Sequence, residues 1–210
     1  MTVDGRTSVA VDGGRGRPTG KREQTKAANR DEIRAAAIGA FTELGFGATT
    51  VRDIVRRTGL ASGTFYNYYA DKHVILTELV GEHVSEAGAR MSAARTVATT
   101  PREAIELGAV AYFRLLMESP EMLAMYRRNA GTIRAYASGD LVDGIIDSLR
   151  TDLERLLAER GAKDLDTGLL AAGVIGAGME IAMRFAESEG ADPERAIAAL
   201  QALVVDGLLG

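Results

Sequence analysis

The sequence predicts an all-α chain of about nine helices, arranged as a three-helix N-terminal head and a larger helical body. Three observations predict it. Apolar residues recur at helical spacing, as in Ile33, Ala36, Ala37, Ala40, Phe41 and Leu44. No stretch sustains the period-2 alternation of a half-buried strand. Several helix starts are also legible, such as Thr100-Pro101-Arg102-Glu103, which combines an N-cap, a proline at the first helical position and a capping-box acid. With 210 residues, 46% of them hydrophobic, the chain has enough apolar surface for a real core.

Residues 1–28 are rich in Gly, Thr, Asp and basic side chains without apolar periodicity, and are expected to form a flexible basic arm. The first helix is expected from about Arg30, ending at Gly45-Phe46-Gly47. Thr50, followed three residues later by Asp53, opens a short helix from about Val51 to Arg57. Gly59 is expected to turn the chain at positive φ. A second short helix then runs from about Ser62 to Tyr69. Helix, glycine turn and helix at this spacing form a helix-turn-helix, whose second helix enters the major groove of DNA.

A long helix follows from about Lys72 to Ala94, carrying Ile75, Leu79, Val80 and Val84. Ser119-Pro120-Glu121 and Asp192-Pro193-Glu194 repeat the cap-then-proline start, and Gly139-Asp140 and Asp164-Leu165-Asp166 open two further helices. The expected division is an arm (1–28), a helix-turn-helix DNA-binding domain (29–72) and a ligand-binding and dimerisation domain (73–210).

Charge is segregated along the chain. Residues 1–72 hold 12 Lys/Arg against 8 Asp/Glu, a net of +4, whereas residues 73–210 hold 13 against 21, a net of −8. A basic front on an acidic body suits a phosphate-binding head joined to a domain that does not touch DNA. The chain has no Cys, which excludes disulfides and thiolate metal sites. The N-terminus lacks an apolar h-region, so export is not expected. The longest apolar run, Leu169 to Met179, is shorter than the roughly 20 residues of a membrane span. A cytoplasmic, nucleoid-associated protein with no membrane partner is expected.

Within the second short helix, Phe65 and Tyr69 lie four apart and should pack inward against Phe41, Ile54, Val55 and Leu60. That leaves Thr64, Tyr66, Asn67 and Tyr68 near the outer face. Ser62 and Thr64 suit base edges or phosphates beside Gly63, Asn67 suits adenine, and a tyrosine edge suits phosphate or a thymine methyl. Thr50 sits at a helix N-terminus fit for a phosphate, and Lys72 adds a point charge.

The segment from about Arg30 to Val80 resembles the TetR family of bacterial transcriptional regulators. The resemblance rests on Ala37, Phe41, Gly45 and Phe46 in the first helix, on TTVRDI, on the turn at Gly59-Leu60, and on GTFYNYYADK. The family pattern has a Ser cap followed by Lys where this chain has Ala61 and Ser62, and a His where it has Tyr68. One phosphate-seeking cation is therefore missing, and the operator contacts are expected to differ. Upstream, Arg15-Gly16-Arg17-Pro18 resembles the core of an AT-hook, placing Arg15 and Arg17 in a narrow A·T minor groove.

For the body, the resemblance implies a helical domain that binds a small effector and pairs with a second copy. Tyr112, Phe113, Leu116, Met117, Met122, Met125, Tyr126, Ile145 and Leu149 are the candidate ligand-binding residues, because large adaptable apolar groups suit a pocket between helices. The last two helices are the expected homodimer surface. One presents Leu170, Val174, Ala177, Gly178, Ile181 and Phe185, with Ala171, Gly173 and Gly176 permitting close approach; the other presents Leu200, Leu203, Val204, Leu208 and Leu209. Four such helices would form an intersubunit bundle and set two heads on successive major grooves of a near-palindromic operator.

Enzyme readings find no motif. His73 and His83 lie ten residues apart on one helix and do not form a metal pair. No Walker, zincin or nucleophile-elbow pattern is present, so neither a cofactor nor a metal is expected. The sequence predicts a DNA-binding regulator, a repressor released from double-stranded operator DNA by a small, largely apolar effector. The alternative is an effector-independent DNA-organising protein on A·T-rich DNA.

Overall fold

A computed structural model describes residues 19–136, 140–159, 161, 165–188 and 192–207. The arginines at 15 and 17, and the apolar pair Leu208 and Leu209, lie outside the described residues. Among the described residues there is no strand. Nine α-helices are described: α1 (Thr19–Leu44), α2 (Val51–Val55), α3 (Ser62–Tyr66), α4 (Lys72–Arg95), α5 (Pro101–Glu118), α6 (Pro120–Tyr136), α7 (Asp140–Glu159), α8 (Thr167–Ala186) and α9 (Pro193–Gln201). A π-helical turn, Ala202–Asp206, prolongs α9.

The first helix starts at Thr19, about ten residues before the expected point. Residues 20–28 are exposed all round, so no apolar stripe marks them. Their Lys, Arg, Glu, Gln and Ala are strong helix formers nonetheless. Periodicity reports burial, and this part of the helix buries nothing. At its other end Gly45 takes φ +79° and donates its N–H to Phe41 O at 3.1 Å, terminating α1 as expected.

Gly59 differs from expectation. The positive-φ glycines among the described residues are Gly45 and Gly161. The turn at Gly59 is made instead by hydrogen bonds: Thr58 Oγ1 donates to Val55 O and accepts from Leu60 N, while Gly59 N donates to Glu32 Oε1 at 2.6 Å.

The starts at Thr100, Asp166 and Asp192 form as their caps predict. Thr100 Oγ1 accepts from Glu103 N and Pro101 follows it. Glu103 reaches back to Thr99 N rather than to the cap residue itself. Asp71, Asp166 and Asp192 cap α4, α8 and α9.

Two apolar cores result. The first gathers Ile33, Phe41, Ile54, Phe65, Tyr69, Ile75 and Leu79 beneath the head, and includes Met125 and Tyr126 from α6. The second is built by α5, α7, α8 and α9 around Phe113, Leu116, Leu149, Leu153, Ala171 and Leu200. Val84 and Met179 pack against both. Helix α1 packs along α6 more extensively than along α4.

Helix α8 runs beyond the Leu169–Met179 segment. Contrary to the expectation, among the described residues it is the one helix long and apolar enough, by length and composition, to cross a membrane. It nevertheless packs against α5, α6, α7 and α9, and its faces are divided. Ala171, Val174, Gly178 and Ala182 turn inward, whereas Leu169, Ala172, Gly173 and Gly176 are exposed. The expected outer face containing Val174 and Gly178 is thus the inner one. The reason is steric: a Cβ on Gly178 would stand 3.3 Å from the Tyr112 ring, so Tyr112 takes the space that this glycine leaves. On α9 and the turn after it, Leu200 and Val204 are likewise buried, and Leu203 is exposed.

Candidate nucleic-acid interface

The head's two short helices owe their placement to a few anchors. Thr50 Oγ1 accepts from Asp53 N, and Asp53 Oδ2 accepts from Thr50 N at 2.9 Å, closing a full capping box. The Thr50 hydroxyl also donates to Asp53 Oδ2, and with the Thr50 N–H it holds the half-buried Asp53 carboxyl below its ordinary range. In α3 no side chain caps Ala61. The helix is held instead by Phe65, 1% exposed, and by Tyr69 just beyond it, 2% exposed, with ring centroids 5.8 Å apart.

With Phe65 and Tyr69 turned inward, the other residues of the segment sort by face. Ser62, Gly63, Tyr66 and Asn67 are exposed, and Tyr66 reaches 60%. Thr64 and Tyr68 are half-buried, Tyr68 against the head core. These six residues and Thr50 lie on the helix-turn-helix segment, where donors, acceptors and a tyrosine edge can meet base edges and phosphates.

Lys72 is placed differently from the expected free point charge. Its Nζ donates to Phe46 O at 2.7 Å, Thr49 O at 2.7 Å and Gly47 O at 3.3 Å, and stands 4.6 Å from the centre of the Phe46 ring. The ammonium thus staples the loop after α1 to the start of α4. Its three donors are spent on carbonyls of the loop between α1 and α2.

The same loop is gripped from the body by Asn129, a residue that no sequence motif singles out. Helix α6 breaks at Asn129, whose φ of −119° and ψ of 17° are not helical. The 4%-exposed side chain accepts from Phe46 N at 2.6 Å and donates to Phe41 O and Met125 O at 2.9 and 2.8 Å. A single amide therefore satisfies the end of α1, the loop after it and the kinked turn of α6.

A third junction joins α1, α4 and Tyr69, three residues beyond α3. Glu78 accepts from Arg30 Nη2, Arg34 Nη1 and the Tyr69 hydroxyl, each at 2.7 Å. Burial alone would raise the Glu78 carboxyl, but the Arg30 and Tyr69 hydrogen bonds outweigh it and hold it below its ordinary value. Burial and the Glu78 contact push the Tyr69 hydroxyl up.

The nine candidate ligand-binding residues divide between the two cores. Tyr112, Phe113, Leu116, Met117, Ile145 and Leu149 belong to the body core, and Met122, Met125 and Tyr126 to the head core. A cleft of about 240 Å³ opens between α4 and α7, lined by Val84, Gly88, Met91, Ile145, Arg95 and Ser148 among others. Ile145 is the one candidate residue it touches. Arg95 lies beside the largely buried Asp152 at 3.1 Å, and burial lowers its pKa.

His83 of α4 stacks its ring 5.5 Å from Tyr126, and its Nε2 is buried without a hydrogen-bond partner. Burial, with Arg90 nearby, lowers its pKa. Burial raises both Tyr112 and Tyr126 hydroxyls. A periodic sequence pattern marks all these residues as inward-facing, but not which core they join.

Comparison with known proteins places the head. Residues 33–79 match the family model described as bacterial regulatory proteins, tetR family. The HTH-type transcriptional repressor KstR2 of Mycolicibacterium smegmatis is 26% identical over 117 residues, which span 56% of this chain and 57% of that protein. The chain therefore matches little more than half the length of this curated relative. Among solved structures, the transcriptional regulator FadR from Bacillus subtilis in complex with stearoyl-CoA aligns with a TM-score of 0.71 at 22% identity, covering 85% of this chain and 98% of that one. The ketosteroid transcriptional regulator KstR2 of Mycobacterium tuberculosis aligns with a TM-score of 0.67 at 23% identity, covering 85% and 94%. These two structures share the fold.

Proposed function

We propose that this chain, whose residues 33–79 match the family model of bacterial regulatory proteins, tetR family, is a transcriptional repressor that binds a near-palindromic operator as a homodimer. The observation that carries the reading is the sorting of the helix-turn-helix segment. Phe65 and Tyr69 are buried as anchors, while Ser62, Gly63, Tyr66 and Asn67 stand exposed beside half-buried Thr64 and Tyr68. A helix so anchored presents its polar side chains at fixed positions, as base readout in a major groove requires.

Dimerisation is supported by α8. Only 22% of its most apolar window is buried, and its exposed face of Leu169, Ala172, Gly173 and Gly176 is smooth enough for another helix to approach closely. The exposed Ala198, Ala199, Ala202 and Leu203 extend the apolar surface along α9 and the turn that follows it.

A small, largely apolar effector releases the operator. The cleft between α4 and α7 is its entry, since behind Ile145 the core continues through Leu149, Phe113, Leu116 and Tyr112. Of the two regulators of like fold, one is solved with stearoyl-CoA, whose acyl chain is apolar, and the other is named for ketosteroids. At about 240 Å³ the cleft is smaller than a typical ligand pocket of roughly 300–1,000 Å³. Binding therefore has to part α4 from α7, and α4 carries that movement to the Lys72 staple. A full release, from mostly bound to mostly free, needs about 5 kcal/mol of differential affinity.

The test is selection of duplexes from a random pool by the full chain, followed by titration with acyl thioesters and sterols. One strongly favoured palindrome, lost on adding an apolar ligand, supports the reading. Broad A·T preference without a palindrome, or no DNA binding at moderate salt, overturns it.

A further inference from the structure

Residues 20–28 of α1 are exposed all round, yet this part of the helix forms one wall of an open cleft on the head. Lys21, Arg22, Thr25, Lys26 and Asn29 face Asn67 and Tyr68 across an open cleft of about 780 Å³. Among the described residues, three cations line it and no carboxylate does. Lys21, Arg22 and Lys26 are exposed, and among the described residues none of them is ion-paired. One to two turns further along, Arg30 and Arg34 are both held by Glu78 and Glu82. Positive charge is therefore neutralised where α1 meets the body and left open where it meets the recognition segment.

We propose that residues 19–29 of α1 are a rigid second DNA-contacting arm, gripping the sugar–phosphate backbone beside the base pairs read by the helix-turn-helix. The inference rests on the operator-binding reading above and deepens it. Asn67 and Tyr68 belong to both surfaces, so a duplex docked on the recognition segment brings its backbone to the mouth of the cleft. Eleven helical residues extend roughly 16 Å, a length over which one strand of B-DNA carries about five phosphates. Asn29 adds an amide donor beside the cations, a composition suited to phosphate oxygens and carrying no base readout. The arm also supplies the cation that the Ala61-Ser62 start of α3 lacks and that Lys72, spent on carbonyls, does not free.

The test uses the full chain and a duplex selected by it from a random-sequence pool, with Lys21→Gln/Arg22→Gln/Lys26→Gln as the variant. Glutamine keeps helix propensity close to that of Lys and Arg, and these positions are exposed, so the head's fold is spared. Binding is measured against salt for the selected duplex and for a scrambled one. The slope of log K against log salt should fall in magnitude by about 0.9 for each phosphate the variant no longer neutralises, up to roughly 2.7 per head. Between about 50 and 200 mM salt the wild type would then lose up to roughly 40-fold more affinity per head than the variant. The preference for selected over scrambled duplex should stay the same. Hydroxyl-radical footprints should lose protection only outside the palindrome's base contacts. An unchanged slope, or a reduced slope accompanied by reduced preference, overturns the arm. Absence of any selected duplex for the wild type overturns the operator reading itself, which is a different result.

Discussion

Replacing Asn129 with Ala should cost this protein about 3 kcal/mol. The side chain is 4% exposed and makes three hydrogen bonds, to Phe46 N, Phe41 O and Met125 O. A typical neutral hydrogen bond contributes about 1 kcal/mol net, and a buried group left unpaired costs about 1–3 kcal/mol. The Phe46 N–H is such a group, because Phe46 is only 5% exposed. For a chain of this length 3 kcal/mol corresponds to a fall in Tm of roughly 6–12 °C. Urea unfolding followed by circular dichroism, at one fixed protomer concentration, measures it. Asn129→Asp sharpens the result: it keeps an acceptor for Phe46 N–H but turns an oxygen towards two carbonyls. It should be at least as unstable as the alanine variant. A loss below about 1 kcal/mol for Ala, or wild-type stability for Asp, would refute the account of Asn129 as the tie between α1 and α6.

Three further outcomes are expected. Glu78→Gln keeps an acceptor for Tyr69 but loses the Arg30 and Arg34 ion pairs, costing about 1 kcal/mol at neutral pH because the cluster is partly exposed. Since the folded carboxyl lies below its ordinary 4.5, wild-type stability is present above that pH and is lost as pH falls through the folded value. Acid titration of both proteins should therefore show the gap closing below about pH 4; a gap independent of pH contradicts the assignment. His83 has its pKa lowered from 6.5, so the unfolded chain takes up a proton first and stability falls as pH drops below 6.5. His83→Phe, which keeps a ring against Tyr126, should flatten thermal melts in that window, and an unaltered pH profile would count against a buried neutral imidazole. Leu169→Glu with Leu203→Glu, both at exposed positions, should convert dimer to monomer in sedimentation velocity while leaving the helical spectrum intact. A dimer that survives both charges would move the interface elsewhere.

The head is largely readable from residues alone because its signals are local. A capping box needs only Thr50 and Asp53, and the burial of Phe65 and Tyr69 follows from their spacing of four on a helix. The glycine at 45 stops α1 as its sequence position implies, whereas Gly59 shows that a turn can be made by side-chain hydrogen bonds with no left-handed residue. The helical arm before residue 30 escapes such reasoning because an apolar period is the imprint of burial, and these residues bury nothing. The faces of α8 are exchanged for a related reason. Ala and Gly occur on both sides of that helix, so their pattern does not say which side meets Tyr112 and which meets solvent.

By itself the sequence determined an all-α chain, the helix starts, the anchored recognition segment and the split between a basic front and an acidic body. Each of these depends on residues within one or two turns of one another, or on summed charge. Only the tertiary structure decided that Lys72 staples a loop rather than standing free, and that Asn129 ties the end of α1 to a kink 83 residues beyond Phe46. It also decided that the ligand candidates divide between two cores and that α1 leans on α6 more than on α4. The physical reason is that a side chain's periodicity specifies the direction in which it turns, whereas its partner depends on which distant element the closed chain brings to that side.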